Sequence, residues 1–395
     1  NYFGTYTYGA YAMEWKNNEI YGNVLYGIDP HDDSDSLLIE GNNVHHNGGH
    51  GIICSQRCAH LTIRANYSHD NAGNGIMLHR NVTDSLVEGN TLTRNSDSGV
   101  ALFESHRNTI RGNTITDNKR GIRLSVGSSD NTVESNSIDG GSSATSYGLY
   151  FFKGNDIPVS GDGRPKRNTF IGNTVQNPKY AIDLKDADEH AFTGNTFLNN
   201  IDPWFRFRYG VNNVFENNSV PGNDGIRTEG TSTIAATTII RKQSPHIWVK
   251  VDAYSAAILE DPDGMIFELT DEGSVSTVIT PAGSLMKLTA AEIGTTALAF
   301  TRTMKAAVVG GEAAIDITLW ETGGNLSKGW KAEAPSASQS VSYTVGDLSP
   351  NTAYDIRKDG TLLATLTSDS SGRLSFADTL GTTTSVEYLI QPATP

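Results

Sequence analysis

The chain has 395 residues, of which 37% are hydrophobic and 40 are glycine, so it is too apolar for a disordered protein and too glycine-rich for a helical bundle. Its apolar runs are all shorter than the roughly 20 residues that a membrane span needs. Forty-four acidic and 30 basic residues give a net charge of −14, which excludes a broad basic face for nucleic acid.

A glycine followed by an apolar residue recurs through the first part of the chain. It occurs at Gly27-Ile28, Gly51-Ile52, Gly75-Ile76, Gly99-Val100, Gly121-Ile122 and Gly148-Leu149. An asparagine repeats with it, at Asn42, Asn66, Asn90, Asn113 and Asn136, and after a Gly-, Asp- and Pro-rich insertion at residues 155–166 it returns at Asn173, Asn195 and Asn218. Steps of mostly 22 to 24 residues without helical spacing are typical of a solenoid coil made of short strands. We therefore predict an all-β fold in which residues 1–228 form a right-handed parallel β-helix with stacked, hydrogen-bonded asparagines.

The pattern changes near residue 230, where the repeat markers end and alternating runs begin. The stretch from Leu348 to Tyr354 is similar to the one that leads into the tyrosine corner of fibronectin type III-like sandwiches. Asp359-Gly360 lies between two strand-like runs, as a hairpin turn would. We predict a β-rich C-terminal region over residues 229–395, with such a sandwich near residues 300–395.

Two polar segments have more than one interpretation. Cys54 and Cys58 could form a disulfide only across a local turn, so a disulfide and two free thiols both stay open. The acidic segment at residues 29–35 fits a solvated loop, a calcium site or a catalytic site. Within it, Asp33 and Asp35 are expected to be solvated.

The register of the predicted coils places the remaining polar residues of interest on one face of the β-helix. Residues at equal offset from the repeat glycine lie one above another in a β-helix, about 4.8 Å apart. Counting two, four and five residues on from each glycine collects Asp29, His31, Asp32, Gln56, His79, Arg80, Glu104 and Arg123, with Lys153 beside the insertion. A lengthwise face that mixes arginine with titratable groups favours an extended, negatively charged polysaccharide as the partner.

The segment Tyr-Gly-Ile-Asp-Pro-His-Asp at residues 26–32 resembles the signature of mannuronan C5-epimerases, especially the periplasmic type. The similarity continues through residues 51–53, 75–80 and 103–105, and covers about residues 1–150. The resemblance implies an isomerase that converts mannuronate to guluronate within alginate, with no required cofactor and no assigned metal ligand. It also implies an extracellular or periplasmic location, and the chain opens without a visible signal peptide, as a mature or trimmed chain would.

The chemistry assigns roles to the residues of this segment. Removing the C5 proton, α to a carboxylate, builds charge that a protonated Asp29 or a guanidinium must neutralise. His31 is the expected base, because neutral imidazole accepts a proton near pH 7, and Tyr26 would return a proton to the opposite face. The resemblance assigns the guanidinium to Arg57 and aligns His50 with a His-Gly step of the family. The expected substrate-binding residues are Asp32, His50, Gln56, His79, Arg80, Glu104 and Arg123. The family often has arginine in the place of Asp33, so the aspartate is a departure.

Two other functions stay open at this stage. A polyuronate lyase shares the first proton abstraction but then eliminates the C4 oxygen, which cleaves the polymer. A non-catalytic carbohydrate-binding β-helix predicts no turnover, and its acidic segment would then hold calcium.

Overall fold

The computed structural model describes residues 1–141, 146–221, 224–241, 248–251, 255–260, 266–270, 275–282, 285–292, 304–308, 312–321, 325–334, 338–381 and 384–393. All regular elements in these residues are β-strands. The chain divides into two compact units, Asn1–Gly222 and Asn223–Pro395.

The first unit is a parallel β-helix in which successive coils each add one strand to three sheets. The first sheet contains Thr5–Tyr8, Ile28–His31, Ile52–Ser55, Ile76–His79, Ser98–Phe103, Arg120–Ser125, Tyr147–Phe152, Tyr180–Lys185 and Trp204–Arg208. The second contains Glu14–Lys16, Leu38–Glu40, Thr62–Arg64, Leu86–Glu88, Thr109–Arg111, Thr132–Glu134, Thr169–Ile171, Ala191–Thr193 and Asn213–Glu216. The third contains Glu19–Tyr21, Asn43–His45, Tyr67–His69, Thr91–Thr93, Thr114–Thr116, Ser137–Asp139, Thr174–Gln176 and Thr196–Leu198. Strands of neighbouring coils pair in parallel and in register.

The apolar residue after each repeat glycine points into the solenoid. Ile28, Ile52, Ile76, Val100, Ile122, Leu149 and Ile182 form one fully buried column. The glycine itself is required by a close approach between coils. A Cβ at Gly121 would lie 2.6 Å from the carbonyl oxygen of Gly148, a distance that real Cβ atoms do not adopt. The repeat glycine is therefore required by the close packing of successive coils at this corner of the solenoid.

Buried asparagines form ladders along the solenoid, as predicted. In the main ladder each side-chain Oδ1 accepts hydrogen bonds from the backbone N–H and the Nδ2 of the asparagine one coil earlier, at 2.8–3.0 Å. It joins Asn18, Asn42, Asn66, Asn90, Asn113, Asn136, Asn173, Asn195 and Asn218. A second ladder joins Asn23, Asn47, Asn71, Asn95 and Asn118, and a third joins Asn108, Asn131, Asn168, His190 and Asn213. These amides satisfy buried backbone groups that the strands leave unpaired at the corners.

Ion pairs link neighbouring coils on the outside. In each pair an arginine reaches back to a carboxylate of the preceding coil at 2.7–2.9 Å. The pairs are Glu40–Arg64, Asp70–Arg94, Asp84–Arg107, Glu88–Arg111 and Asp130–Arg167. Most are solvent-exposed, so each adds little to stability on its own.

Both cysteines are free thiols and both are buried. Cys54 occupies an interior column, in register with Leu78 of the next coil. The Cys58 Sγ points at the carbonyl oxygen of Ser55, 3.2 Å away. Of the two alternatives that the sequence left open, the structure has the free thiols.

The second unit begins with parallel strands and ends with antiparallel ones. Its strands are Gly225–Glu229, Ala236–Arg241, Trp248–Val251, Ser255–Glu260, Ile266–Thr270, Val275–Ala282, Leu285–Glu292, Met304–Val308, Glu312–Trp320, Lys328–Glu333, Gln339–Val345, Ala353–Lys358, Thr361–Thr367, Leu374–Leu380 and Val386–Pro392. Parallel pairing continues as far as Ile266–Thr270, and the boundary predicted between residues 228 and 229 falls within the first of these strands.

The last strands of the second unit form two antiparallel sheets that pack face to face. Trp330 and Tyr388 from one sheet contact Tyr343 from the other, with ring centroids 5.2 Å apart in each case. The Tyr354 hydroxyl accepts a hydrogen bond from the Ser349 backbone N–H at 2.9 Å, the contact expected of a tyrosine corner.

Candidate active site

The outer face of the first sheet carries a column of outward-pointing side chains, which we call the floor. Register places in this column Tyr6, Asp29, Ile53, Met77, Ala101, Arg123, Tyr150, Asp183 and Arg206. The predicted alignment of offset-two residues is therefore correct. It extends one coil further toward the N-terminus, to Tyr6.

Asp29 is a buried carboxyl group at the start of the floor. Asp29 is only 2% exposed, and its Oδ1 has no hydrogen-bond partner among the described residues. Desolvation raises the pKa of Asp29 to about 7, with Asp32 adding to the shift and His31 opposing it. Asp29 can therefore be protonated near neutral pH and donate a hydrogen bond.

His31 ends the same strand, two residues further on, and its ring is oriented by a carboxylate. His31 Nδ1 lies 2.6 Å from Asp32 Oδ2. Because an ionised carboxylate only accepts hydrogen bonds, Nδ1 carries the proton and Nε2 of the neutral ring keeps its lone pair. The Tyr6 ring lies against this imidazole, with centroids 5.6 Å apart. The arrangement gives His31 the tautomer that a general base needs.

Arg57 reaches back to the acidic segment. Its Nε and Nη2 donate to the two carboxylate oxygens of Asp33 at 2.8 and 3.0 Å, and Nη2 also donates to Asp32 Oδ1 at 2.9 Å. Asp33 is solvent-exposed, as predicted, and it binds Arg57 at the surface. Asp35 is only half-buried, and it accepts a hydrogen bond from the Ala59 backbone N–H at 2.7 Å. The Asp33–Arg57 contact has the same form as the other inter-coil ion pairs, so it also has a structural role.

Tyr26 and His50 flank the floor beside Asp29. Their rings stack with centroids 5.1 Å apart and planes 5° from parallel. His50 Nδ1 accepts a hydrogen bond from the Asn74 backbone N–H at 3.0 Å, which leaves the proton on Nε2. Burial lowers the pKa of His50 to about 4, so it is a neutral hydrogen-bond donor. Burial, with a contribution from Asp29, raises the pKa of Tyr26 and keeps its phenol protonated.

The offset-five residues lie at the turn after each strand, where the backbone is left-handed. Asp32, Gln56, Arg80, Glu104 and Val126 all have positive φ, between 33° and 61°. Their stacking agrees with the predicted register, since each backbone N–H bonds to the residue before its counterpart in the next coil. They line one edge of the floor.

Of the remaining residues predicted to bind substrate, some lie on the open face of the sheet and one is covered by the insertion. His79 and Arg80 both pack on Phe103, at 4.9 and 5.2 Å from its ring centroid, and burial lowers the pKa of His79 to about 4. Glu104 is only 3% exposed and accepts a hydrogen bond from the Val159 backbone N–H of the insertion. The insertion thus covers the Glu104 carboxylate.

Sequence reasoning missed two residues of this face. Tyr6 could have been found from Gly4, which packs against the Gly27 carbonyl oxygen as the other repeat glycines pack on theirs. Asp97, which binds Arg123, precedes a repeat glycine but has no counterpart in other coils, so the repeat alone gives no signal for it.

The described residues contain no cluster of three His, Cys, Asp or Glu side chains with the geometry to hold a metal ion. The acidic segment instead directs Asp32 and Asp33 toward Arg57. In the part of the chain that the structure describes, no helix has the length and apolar character of a membrane span.

Asp29 makes a testable contribution to stability. Its folded pKa of about 7 lies above the unfolded value of 3.8, so the stability it contributes is present below pH 4 and lost as pH rises through 7. We expect Asp29→Asn to raise the thermal midpoint at pH 8 and to leave it nearly unchanged at pH 4. Thermal melts at both pH values measure this, and an equal shift at both would contradict the assigned burial of the charge.

Taken together, the fold and the site define a β-helix protein with a titratable, lengthwise face. The sequence profile described as "Right handed beta helix region" matches residues 3–163 and 159–260. The chain therefore belongs to the right-handed β-helix family. The predicted all-β fold, a right-handed parallel β-helix followed by a C-terminal β-rich region, is confirmed, and the last strands of that region are antiparallel.

Individual relatives match only part of the chain. The mannuronan C5-epimerase AlgG of Azotobacter vinelandii is 44% identical over 125 residues, which are 31% of this chain and 24% of that protein. The crystal structure of the periplasmic alginate epimerase AlgG aligns with 25% identity over 50% of this chain and 46% of that one, with a TM-score of 0.39. DFA-IIIase from Arthrobacter chlorophenolicus A6 aligns with 15% identity over 58% and 55% of the two chains, with a TM-score of 0.34. The chain thus spans about a quarter of the curated epimerase that it matches.

Proposed function

We propose that the protein is a polymer-level mannuronan C5-epimerase, which converts β-D-mannuronate to α-L-guluronate within alginate outside the cytoplasm. The observation that carries the proposal is that Asp29 and His31 lie two residues apart on one strand of the first sheet, Asp29 on the floor and His31 beside it. One is a carboxyl group that can be protonated near pH 7, and the other is an imidazole with its Nε2 lone pair available. The partial similarity to AlgG supports the same substrate class.

The reaction begins when His31 Nε2 takes the proton from C5 of a mannuronate residue. The electron pair left at C5 delocalises into the sugar carboxylate, which gains charge. Asp29, in its protonated form, donates a hydrogen bond to that carboxylate and stabilises it. Arg57 has Nε and Nη2 bound to Asp32 and Asp33, so it acts on the sugar through Nη1 or by exchanging one of these partners.

Inversion then requires a proton from the other face of the carbon. Tyr26 supplies it, and the resulting phenolate recovers a proton from the imidazolium of His31 through solvent, which returns both groups to their starting state. His50 stacks on Tyr26 and fixes the plane of its ring, while its Nε2–H is a donor for the sugar. Asp32 holds the His31 tautomer.

A proton NMR time course with polymannuronate tests the proposal. We expect guluronate signals to accumulate while the polymer keeps its length and no unsaturated ends form. Unsaturated, shortened products would identify a lyase, because the intermediate would then eliminate its C4 oxygen. No change in a sample that still binds the polymer would identify a binding module.

A further inference from the structure

A second polar cluster lies further along the first sheet than Asp29 and His31, and the charges of its Arg123 and Asp97 act on His50. Asp97 Oδ2 accepts a hydrogen bond from Arg123 Nη1 at 2.9 Å, and Asp97 Oδ1 accepts one from Arg120 Nη1. The Arg120 guanidinium lies 4.8 Å from the ring centroid of Tyr150 and 5.9 Å from that of Tyr147. We call these five residues the arginine cluster.

The arginine cluster has more positive than negative charge. Two guanidinium groups share the single carboxylate of Asp97, and both arginine side chains are less than one-fifth exposed. Among the described residues, the Nε atoms of Arg120 and Arg123 are buried without a hydrogen-bond partner. The next acidic residue along the floor, Asp183, is bound to Arg208. A partly desolvated guanidinium pair that shares one carboxylate keeps a net positive charge, so its remaining exposed part is suited to a further carboxylate.

Burial also acts on the charged state of Arg123. It lowers the pKa of this guanidinium, and the Arg120 charge acts in the same direction, while Asp97 opposes both. An additional anion at this point would relieve the cost of holding the two cations together.

An apolar strip separates the arginine cluster from Asp29. The floor residues between them are Ile53, Met77 and Ala101, all buried, with Tyr26 and Phe103 packed against them. Arg123 lies four coils from Asp29, so the two are about 19 Å apart at ~4.8 Å per coil. A single sugar cannot contact both, whereas an extended oligosaccharide can.

We propose that Arg120 and Arg123 form a remote carboxylate subsite, which binds a uronate several sugars away from the residue at Asp29. The partly buried rings of Tyr26 and Phe103, which pack on the apolar strip, lie against the C–H faces of the sugars between. The inference rests on the proposed function for the identity of the polymer, and it makes substrate length a determinant of affinity.

Calorimetry with mannuronate oligomers of defined length tests the subsite in the full chain, with His31→Ala present to prevent turnover. We expect Arg123→Gln to weaken binding of long oligomers about tenfold, since charge-assisted hydrogen bonds are lost, and to leave di- and trisaccharide binding unchanged. The loss should shrink at high salt. Equal effects on short and long oligomers, or no effect on either, would overturn the proposal.

Matched variants separate the subsite from general effects of charge or folding. Arg111→Gln removes an arginine of the second sheet, which pairs with Glu88, and should leave binding unchanged. Asp97→Asn keeps both arginines but removes their carboxylate, so it should tighten binding of long oligomers. Weaker binding by Asp97→Asn in a chain with a normal thermal midpoint would count against the subsite.

The two proposals can fail separately. If long oligomers bind in an Arg123-dependent way but the unaltered chain forms no guluronate, the subsite stands and the epimerase assignment does not. If guluronate forms and Arg123→Gln leaves the length dependence unchanged, the epimerase assignment stands and the subsite does not.

Discussion

Replacement of His31 by alanine should lower the rate of guluronate formation by about a thousandfold, the usual contribution of a positioned general base. The imidazole is the only group beside Asp29 in the described structure with a nitrogen lone pair oriented by a neighbouring carboxylate. Asp32 would remain bound to Arg57, so the acidic segment should keep its conformation. The measurement is the initial rate of guluronate formation by NMR, together with the thermal midpoint.

His45→Ala is the matched control. His45 ends a strand of the same coil, as His31 does, but it lies on the third sheet and stacks between Tyr21 and His69. Its loss should leave the rate within about twofold, because it touches nothing on the floor. A rate unchanged by His31→Ala, or a variant that unfolds while His45→Ala does not, would show that His31 has a structural role instead.

Replacement of Asn113 by alanine should destabilise the solenoid by about 3 kcal/mol, because buried polar groups lose their partners. Asn113 Oδ1 accepts hydrogen bonds from the Asn90 backbone N–H and Nδ2, both at 2.9 Å, and Asn113 Nδ2 donates to the Val87 carbonyl oxygen at 3.0 Å. Alanine leaves the Asn90 N–H without a partner and removes one hydrogen bond from the Val87 carbonyl oxygen in a dry interior. The thermal midpoint should fall by roughly 8 °C.

Thr114→Ala provides the comparison for this loss. Thr114 follows Asn113 directly and is exposed, so its change should cost less than about 0.5 kcal/mol. An equal fall of the thermal midpoint in both variants would show that the coil is destabilised by any substitution, and that the ladder hydrogen bonds make no special contribution to stability.

The β-helix could be predicted because its markers are steric and hydrogen-bonding requirements. Gly121 and its equivalents face a carbonyl oxygen of the next coil, and asparagines such as Asn113 must be identical to stack. Such positions permit few residue types, so the period is visible in the sequence. The second and third ladders were not recognised, because shorter ladders and a histidine at position 190 weaken the repeat.

The sequence predicts which residues of the candidate site share a column, but it does not predict which of their side chains are in contact. Register brought Asp29 to the floor and His31 two residues beyond it, but it contains no information on which way a long side chain turns. Arg57 therefore reaches back to Asp33, and the insertion reaches Glu104, without any sign of either in the repeat. Register does identify the three apolar floor positions, Ile53, Met77 and Ala101, but it does not show that Tyr26 and Phe103 pack against them.

The regular stacking has a consequence for how such a protein can change over evolution. The asparagine-to-asparagine hydrogen bonds of a ladder join each coil to the coil before or after it, so duplicating or deleting a 24-residue unit leaves each ladder complete. The separation between Asp29 and Arg123 can then change only in increments of one coil, about 4.8 Å. Under the two proposals made above, gene rearrangement would thus alter the preferred oligomer length and leave the proposed reaction chemistry the same.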